Sequence, residues 1–213
     1  MNYDKIIYRI IRLDKSIYSE LIGLQGNIQR SVAIWLAAAT LSILAILDLF
    51  VSAIVYIKDE LPEITQMLIQ SGSSQEDLSR FNEAFNLLVN QPIEVSPSFL
   101  TIVGEVMTGS IGLAIQVGII HLFLKFLLKR DSIWRETLIV VGFSTIPMLF
   151  IFSSLFISSI PAKGVIIFVT SLYPLVTLGS GLKQINNLRN IESALLVITS
   201  SAIPSLLFNL TGV

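Results

Sequence analysis

Residues 137 to 161 read TLIVVGFSTIPMLFIFSSLFISSIP, a run without Asp, Glu, Lys, Arg or His. At about 1.5 Å of rise per residue, such a helix is long enough to cross a hydrocarbon core of about 30 Å, for which about 20 residues suffice. Pro147 stands in its middle, where a proline removes one backbone donor and presses on the carbonyl one turn earlier, so the sequence predicts a kink between Gly142 and Pro147. Ser144, three residues before the proline, and Gly142, five before it, supply a hydroxyl and a missing side chain to accommodate the freed carbonyl.

The rest of the chain is of the same kind. Of its 213 residues 53% are hydrophobic and 14% charged, against about 25% charged in soluble domains. The chain reads as an integral membrane protein, all-α, a polytopic helix bundle. It has no cysteine, which excludes disulfides, thiolate metal ligands and a thiol nucleophile. The first 31 residues are polar and basic, without the apolar core and small-residue cleavage site of a removable signal, so the first span is expected to act as its own insertion signal.

Residues 1–31 place Tyr3, Ile7, Ile10, Leu13 (or Asp14), Ile17, Leu21 and Leu24 near one helical face and Lys5, Arg9 and Arg12 on another, with Lys15 following. Two readings stand side by side: a cytoplasmic amphipathic helix on anionic lipid, held by Lys5, Arg9, Arg12 and Lys15, or the same helix packed on the end of the bundle. Beyond it, residues 32–213 form a membrane domain with five spans expected at about 32–57, 98–128, 137–160, 164–182 and 193–209. Between the first two lies an outer helical loop, 58–97, in which 60–70 and 75–89 read as short amphipathic helices parted by Ser71-Gly72-Ser73-Ser74. Lys163, after Pro161, is read as part of the tight turn before the fourth span.

The polar residues inside the spans are the candidates for function: Asp48 in the first and Glu105, Gln116 and His121 in the second. An ionised carboxylate in mid-membrane costs about 2.5 to 3.5 kcal/mol even on insertion scales, so each acid should face the bundle and be protonated, hydrogen-bonded or paired with a cation. Asp48 and Glu105 lie about 13 and 10 Å from the outer ends of their spans. Either they share a proton, which raises one pKa, or each bonds to hydroxyls such as Ser52, Thr101 or Thr108 and holds helices together. Small residues along the second span allow close helix approach.

Orientation follows from the basic residues. With five spans, the amino-terminal side collects Lys5, Arg9, Arg12, Lys15, Arg30, Lys125, Lys129, Arg130, Arg135, Lys183 and Arg189, leaving Lys58, Arg80 and Lys163 opposite. The expected protein is therefore a multi-pass protein of the cell membrane with its amino terminus cytoplasmic and its carboxyl terminus outside.

Two elements carry a resemblance. Trp134-Arg135-Glu136-Thr137 leads to Gly142-Phe143-Ser144-Thr145-Ile146-Pro147, and Leu178-Gly179-Ser180-Gly181-Leu182-Lys183 is followed by Asn187-Leu188 and Glu192-Ser193-Ala194. With the five expected spans, these resemble the YIP-domain family of Ypt/Rab-interacting membrane proteins and their shorter prokaryotic relatives. The first looks like that family's Gly-Tyr-Ser-x-x-Pro element and the second like its Gly-Leu-Lys/Arg exit, which makes Gly142, Ser144, Pro147 and Gly181 the family-type positions. The chain lacks the Asp-Leu-Tyr-Gly-Pro element of the eukaryotic members, so Rab-type GTPase binding is not carried over. The resemblance implies a membrane-organising, trafficking-like or permease-like role.

The chemistry of known intramembrane enzymes is missing. His121 is the one histidine, which rules out a His-Glu-x-x-His or multi-histidine metal site. Gly142-x-Ser144 lacks the glycine that would complete a nucleophile elbow, Gly179-Ser180-Gly181 ends a membrane helix without a phosphate-binding lysine, and the few charges do not suit nucleic acid. No cofactor is implied. The expected function is a noncatalytic scaffold or membrane-shaping protein, with membrane lipids and a second copy or another membrane protein as partners; the alternative is a small transporter or channel using Asp48, Glu105 and His121.

Overall fold

The computed structural model describes residues 3–90 and 99–211, apart from the side chains at positions 3, 82, 86–90, 99–102, 105 and 205–211. In chain order the helices are α1 (Tyr3–Ile11), α2 (Ser16–Gly23), α3 (Asn27–Gln70), α4 (Gln75–Asn90), α5 (Phe99–Leu122), α6 (Trp134–Ser144), α7 (Ile160–Asn186) and α8 (Asn190–Thr211). A π turn, Phe123–Leu127, ends α5, and a 3₁₀ helix, Ile146–Phe156, joins α6 to α7. Every regular element among the described residues is helical. Four stretches are long and apolar enough to cross a membrane: Asn27–Gln70, Val106–Leu127, Trp134–Phe156 and Ile160–Asn186.

α6 lies in the middle, with every residue from Ile139 to Ser144 buried. It touches α2, α3, α5 and α7, and two glycines set how closely. A Cβ on Gly142 would collide with the backbone carbonyl and Cβ of Ser31 on α3, and one on Gly181 of α7 would lie 2.6 Å from Val140 Cγ1 and 3.1 Å from the Tyr18 ring. The missing side chains let three helix axes converge at one level, the membrane version of close packing through small residues.

The expected kink is a change of helix type. Pro147 has no N–H, and the α pattern stops at Ser144. Ser144 Oγ then donates to Val141 O at 2.6 Å and Thr145 Oγ1 to Gly142 O at 2.7 Å, while Thr177 Oγ1 of α7 donates to Ser144 O at 2.7 Å. The carbonyl that the proline leaves unmet is thus taken by the neighbouring helix, as an apolar environment requires. The 3₁₀ helix that follows rises about 2.0 Å per residue rather than 1.5 Å, so its 11 residues gain several ångströms of span.

The amino-terminal segment is two helices rather than one. Leu13 adopts a left-handed backbone (φ 57) between α1 and α2, and Tyr173 Oη of α7 donates to Ile11 O at 2.6 Å, capping the end of α1. The apolar face carried by Ile6, Ile10, Ile17, Tyr18 and Leu21 is buried in the main core, which is the packing described by the second of the two readings. Farther on, the two short helices expected over 60–89 differ from what forms. Residues 60–70 continue α3 without a break, as one 44-residue helix through Pro62, and only α4 is a separate helix after the turn at Ser71–Ser74. Exposed Pro62 costs little there, because the carbonyl it leaves unpaired is not enclosed.

Gly142→Ala should lower stability in detergent by about 3 kcal/mol or more, because the clash is with backbone that cannot turn aside. Gly164→Ala, on the same bundle with nothing within 4 Å of the new Cβ, should be neutral or slightly stabilising. Thermal unfolding followed by circular dichroism compares them, and equal stability would contradict the central crossing.

Candidate functional site

Three polar side chains meet inside the bundle between α3 and α7. Lys163 Nζ donates to Asp48 Oδ2 at 2.6 Å and to Ser52 Oγ at 2.8 Å. Asp48 and Ser52 are four apart on α3 and share a face; Lys163 is one turn inside α7. The lysine side chain is 7% exposed and the carboxylate 37%, so the cation is the enclosed partner. Lysine in apolar surroundings requires such an anion.

Lys163 was expected in a turn, and the structure corrects this. α7 starts at Ile160 with Pro161 in its first turn, a position that proline favours because its missing N–H is not needed there. That signal was present in the sequence: a helix starting before Pro161 puts Lys163 inside the span and obliges it to find an acid.

The depth of the pair can be counted from the level where Ser31, Gly142 and Gly181 converge. Asp48 is 17 residues along α3 from Ser31, and Lys163 is 18 residues along α7 from Gly181, giving about 26 and 27 Å. These independent counts agree, so the ion pair lies about the same distance from the Ser31–Gly142 and Tyr18–Gly181 packing along both helices. α3 runs on for about 33 Å beyond Asp48.

The other sequence candidates are dispersed. The side chain of Glu105 lies outside the described residues, so the shared-proton arrangement with Asp48 is not seen; Asp48 has Lys163 as its partner. Gln116 is half-buried on α5. His121 Nδ1 lies 3.1 Å from Ser132 Oγ, and its ring packs edge-on against Trp134, which ties the end of α5 to the start of α6. Ser144, Pro147, Gly142 and Gly181 all lie at the helix crossings described above.

Of the four basic residues assigned to the lipid surface, Arg9 is engaged within the protein. Its guanidinium donates to Asp14 Oδ2 at 2.7 Å, to both carboxylate oxygens of Glu20 at 2.8 Å and to Ser16 Oγ at 2.8 Å, fastening α1 to α2. Arg12 lies over the Tyr8 ring at 4.7 Å, while Lys5 and Lys15 are exposed. Arg9 holds the Glu20 carboxyl below its usual range, and Asp14 is lowered by the Ser16 hydroxyl and then by Arg9. Under α2, burial pushes the Tyr18 phenol up. Among the described residues its hydroxyl is buried without a hydrogen-bond partner.

No family model, no curated protein and no solved structure matches the chain. The site therefore stands on its own chemistry. Sequence reasoning missed Tyr18, Ser31, Lys163 and Thr177, of which Lys163 alone left a readable signal.

Two outcomes follow. Asp48→Leu should destabilise by about 2 to 3 kcal/mol, less than a fully enclosed pair because Asp48 is partly open, and Asp48→Leu with Lys163→Met should recover most of the loss. A double variant no better than the worse single one would show that the two do not act as a pair. The depressed Asp14 and Glu20 stabilise the clasp above their unfolded pKa values, near 4, and that stability is lost as pH falls through their lower folded values. Spin labels replacing Lys5 and Ser19 in this cysteine-free chain should give a narrow distance at pH 7 that broadens only once pH falls below the unfolded values, through the lowered folded ones; a distance that broadens already between pH 7 and pH 5 would contradict the clasp.

Proposed function

We propose that the chain is a noncatalytic five-span protein of the cell membrane, of the YIP type, that organises or shapes the bilayer through its lipid and helix contacts. Its amino terminus is cytoplasmic and its carboxyl terminus outside, as the distribution of Lys and Arg favours. α8, 22 residues and about 33 Å long, is the fifth span. The observation that carries the functional reading is the pairing of Lys163 with Asp48 and Ser52. A charge neutralised by a fixed neighbour on another helix is a structural joint, whereas a carrier needs a charged group that exchanges its partner with the cargo.

The YIP reading gains support from where its residues fall. An added Cβ on Gly142 or on Gly181 would clash with a neighbouring helix. Ser144 and Pro147 mark the change of helix type, and Thr177 meets the carbonyl released there. The motif residues thus have a common physical task, holding a broken helix at the centre of a bundle.

Cysteines at Ser73 and Asn187, probed with a membrane-impermeant thiol reagent in intact cells, test the orientation: Ser73→Cys should react and Asn187→Cys should be protected, and the reverse pattern would invert the proposal. Purified protein in liposomes tests the function. Proton and monovalent cation flux should not exceed that of empty vesicles, while vesicle size and curvature by electron cryomicroscopy should change with protein density. Flux above background that disappears in Asp48→Asn would establish the carrier instead.

A further inference from the structure

We propose that the groove between the end of α7 and the start of α8 binds one anionic membrane lipid, its headgroup against Lys15 and Lys183 and one hydrocarbon chain along the groove. This rests on the reading of the protein as one that acts through lipid contacts, and it names the lipid class and the place. The groove has a volume of about 440 Å³. Leu175, Val176, Val197 and Ile198 make much of its wall apolar, and its charged groups gather at one end. There Lys183, in the last turn of α7, faces Asn190 at the head of α8, with Lys15 of the α1–α2 turn above them. Leu175 is eight residues from Lys183, about 12 Å deeper along the helix, so a head-then-chain order follows the direction into the bilayer.

Charge selects the occupant. No carboxylate lines the groove. The nearby acids are already taken, Asp14 and Glu20 by Arg9 and Glu192 by Arg189, and Glu192 is held below its usual range by the backbone N–H and guanidinium of Arg189. Lys183 Nζ donates to the neutral amide oxygen of Asn190. Among the described residues neither Lys15 nor Lys183 meets a carboxylate. Two such cations over an apolar trough, at the face where basic residues concentrate, complement an amphiphile with a negative head.

The test is native mass spectrometry of the full chain released from nanodiscs made of equal phosphatidylglycerol and phosphatidylcholine, with folding of each variant checked by circular dichroism. The wild-type chain should retain phosphatidylglycerol selectively. Lys15→Gln with Lys183→Gln should reduce that retention about thirtyfold, the effect of two lysines at an anionic surface. Ala194→Phe, which fills the trough and leaves both lysines, should lower retention of either lipid. Lys58→Gln with Arg80→Gln, both exposed on the opposite side of the bundle, removes the same charge elsewhere and should leave retention unchanged. Unchanged retention in the two groove variants, or an equal loss in the Lys58/Arg80 control, would overturn the site, and equal retention of both lipids would overturn the headgroup assignment. Cation flux in liposomes of the same composition would overturn the noncatalytic reading without altering the lipid count, so the two failures are distinguishable.

Discussion

Inside a hydrocarbon layer every backbone polar group and every charge must find its partner within the protein, and the described bundle breaks with simple α-helix in ways that make this demand acute. At Pro147 the α ladder stops, and at Lys163 a cation enters an apolar span. The carbonyl of Ser144 is met by the Thr177 hydroxyl, and the ammonium of Lys163 by Asp48 and Ser52. Both solutions come from a different helix. They hold only if α3, α6, the 3₁₀ helix and α7 keep one registration, and the glycine crossings at Ser31 and Val140 enforce it. The small-residue crossings and the ion pair are thereby coupled through the same helices.

This arrangement explains why the amino-terminal helices belong to the fold. Tyr18 fills the notch beside Gly181, and Ile10, Ile17 and Leu21 are fully enclosed. Removing that face from the core would expose the inner ends of α6 and α7. The polar side of the segment is organised around Arg9, which consumes two carboxylates and leaves Lys5 and Lys15 exposed. A surface that packs its apolar residues inward and keeps lysines outward fits a lipid-facing platform at the bilayer face.

Much of the fold was legible in the sequence because membrane burial leaves a coarse signal. The charge-free run from Thr137 to Pro161, the position of Pro147 and the turn at Ser71–Ser74 each follow from local chemistry. Three features were not legible. The break at Leu13 needs a left-handed leucine, which no local preference announces; it is held by Tyr173 and by the Arg9 cluster, contacts made only after folding. The continuation of α3 through Pro62 runs against the ordinary effect of proline. The 3₁₀ geometry after Ser144 depends on a hydroxyl 33 residues away. Of the candidate site, Asp48 was identified as a buried acid in need of a partner, but Lys163 was placed in a turn because proline was weighed as a breaker rather than as a first-turn residue.

In the proposed function the contact of Lys163 with Asp48 is a lasting, internally neutralised joint between α3 and α7. Solid-state nuclear magnetic resonance on protein labelled with ¹⁵N at lysine and ¹³C at aspartate, reconstituted in lipid, measures this directly. A strong dipolar contact between the Lys163 ammonium and one Asp48 carboxylate, unchanged in the presence or absence of a cation gradient, is the expected result. A contact that weakens when a gradient is applied, or none at all, would contradict it.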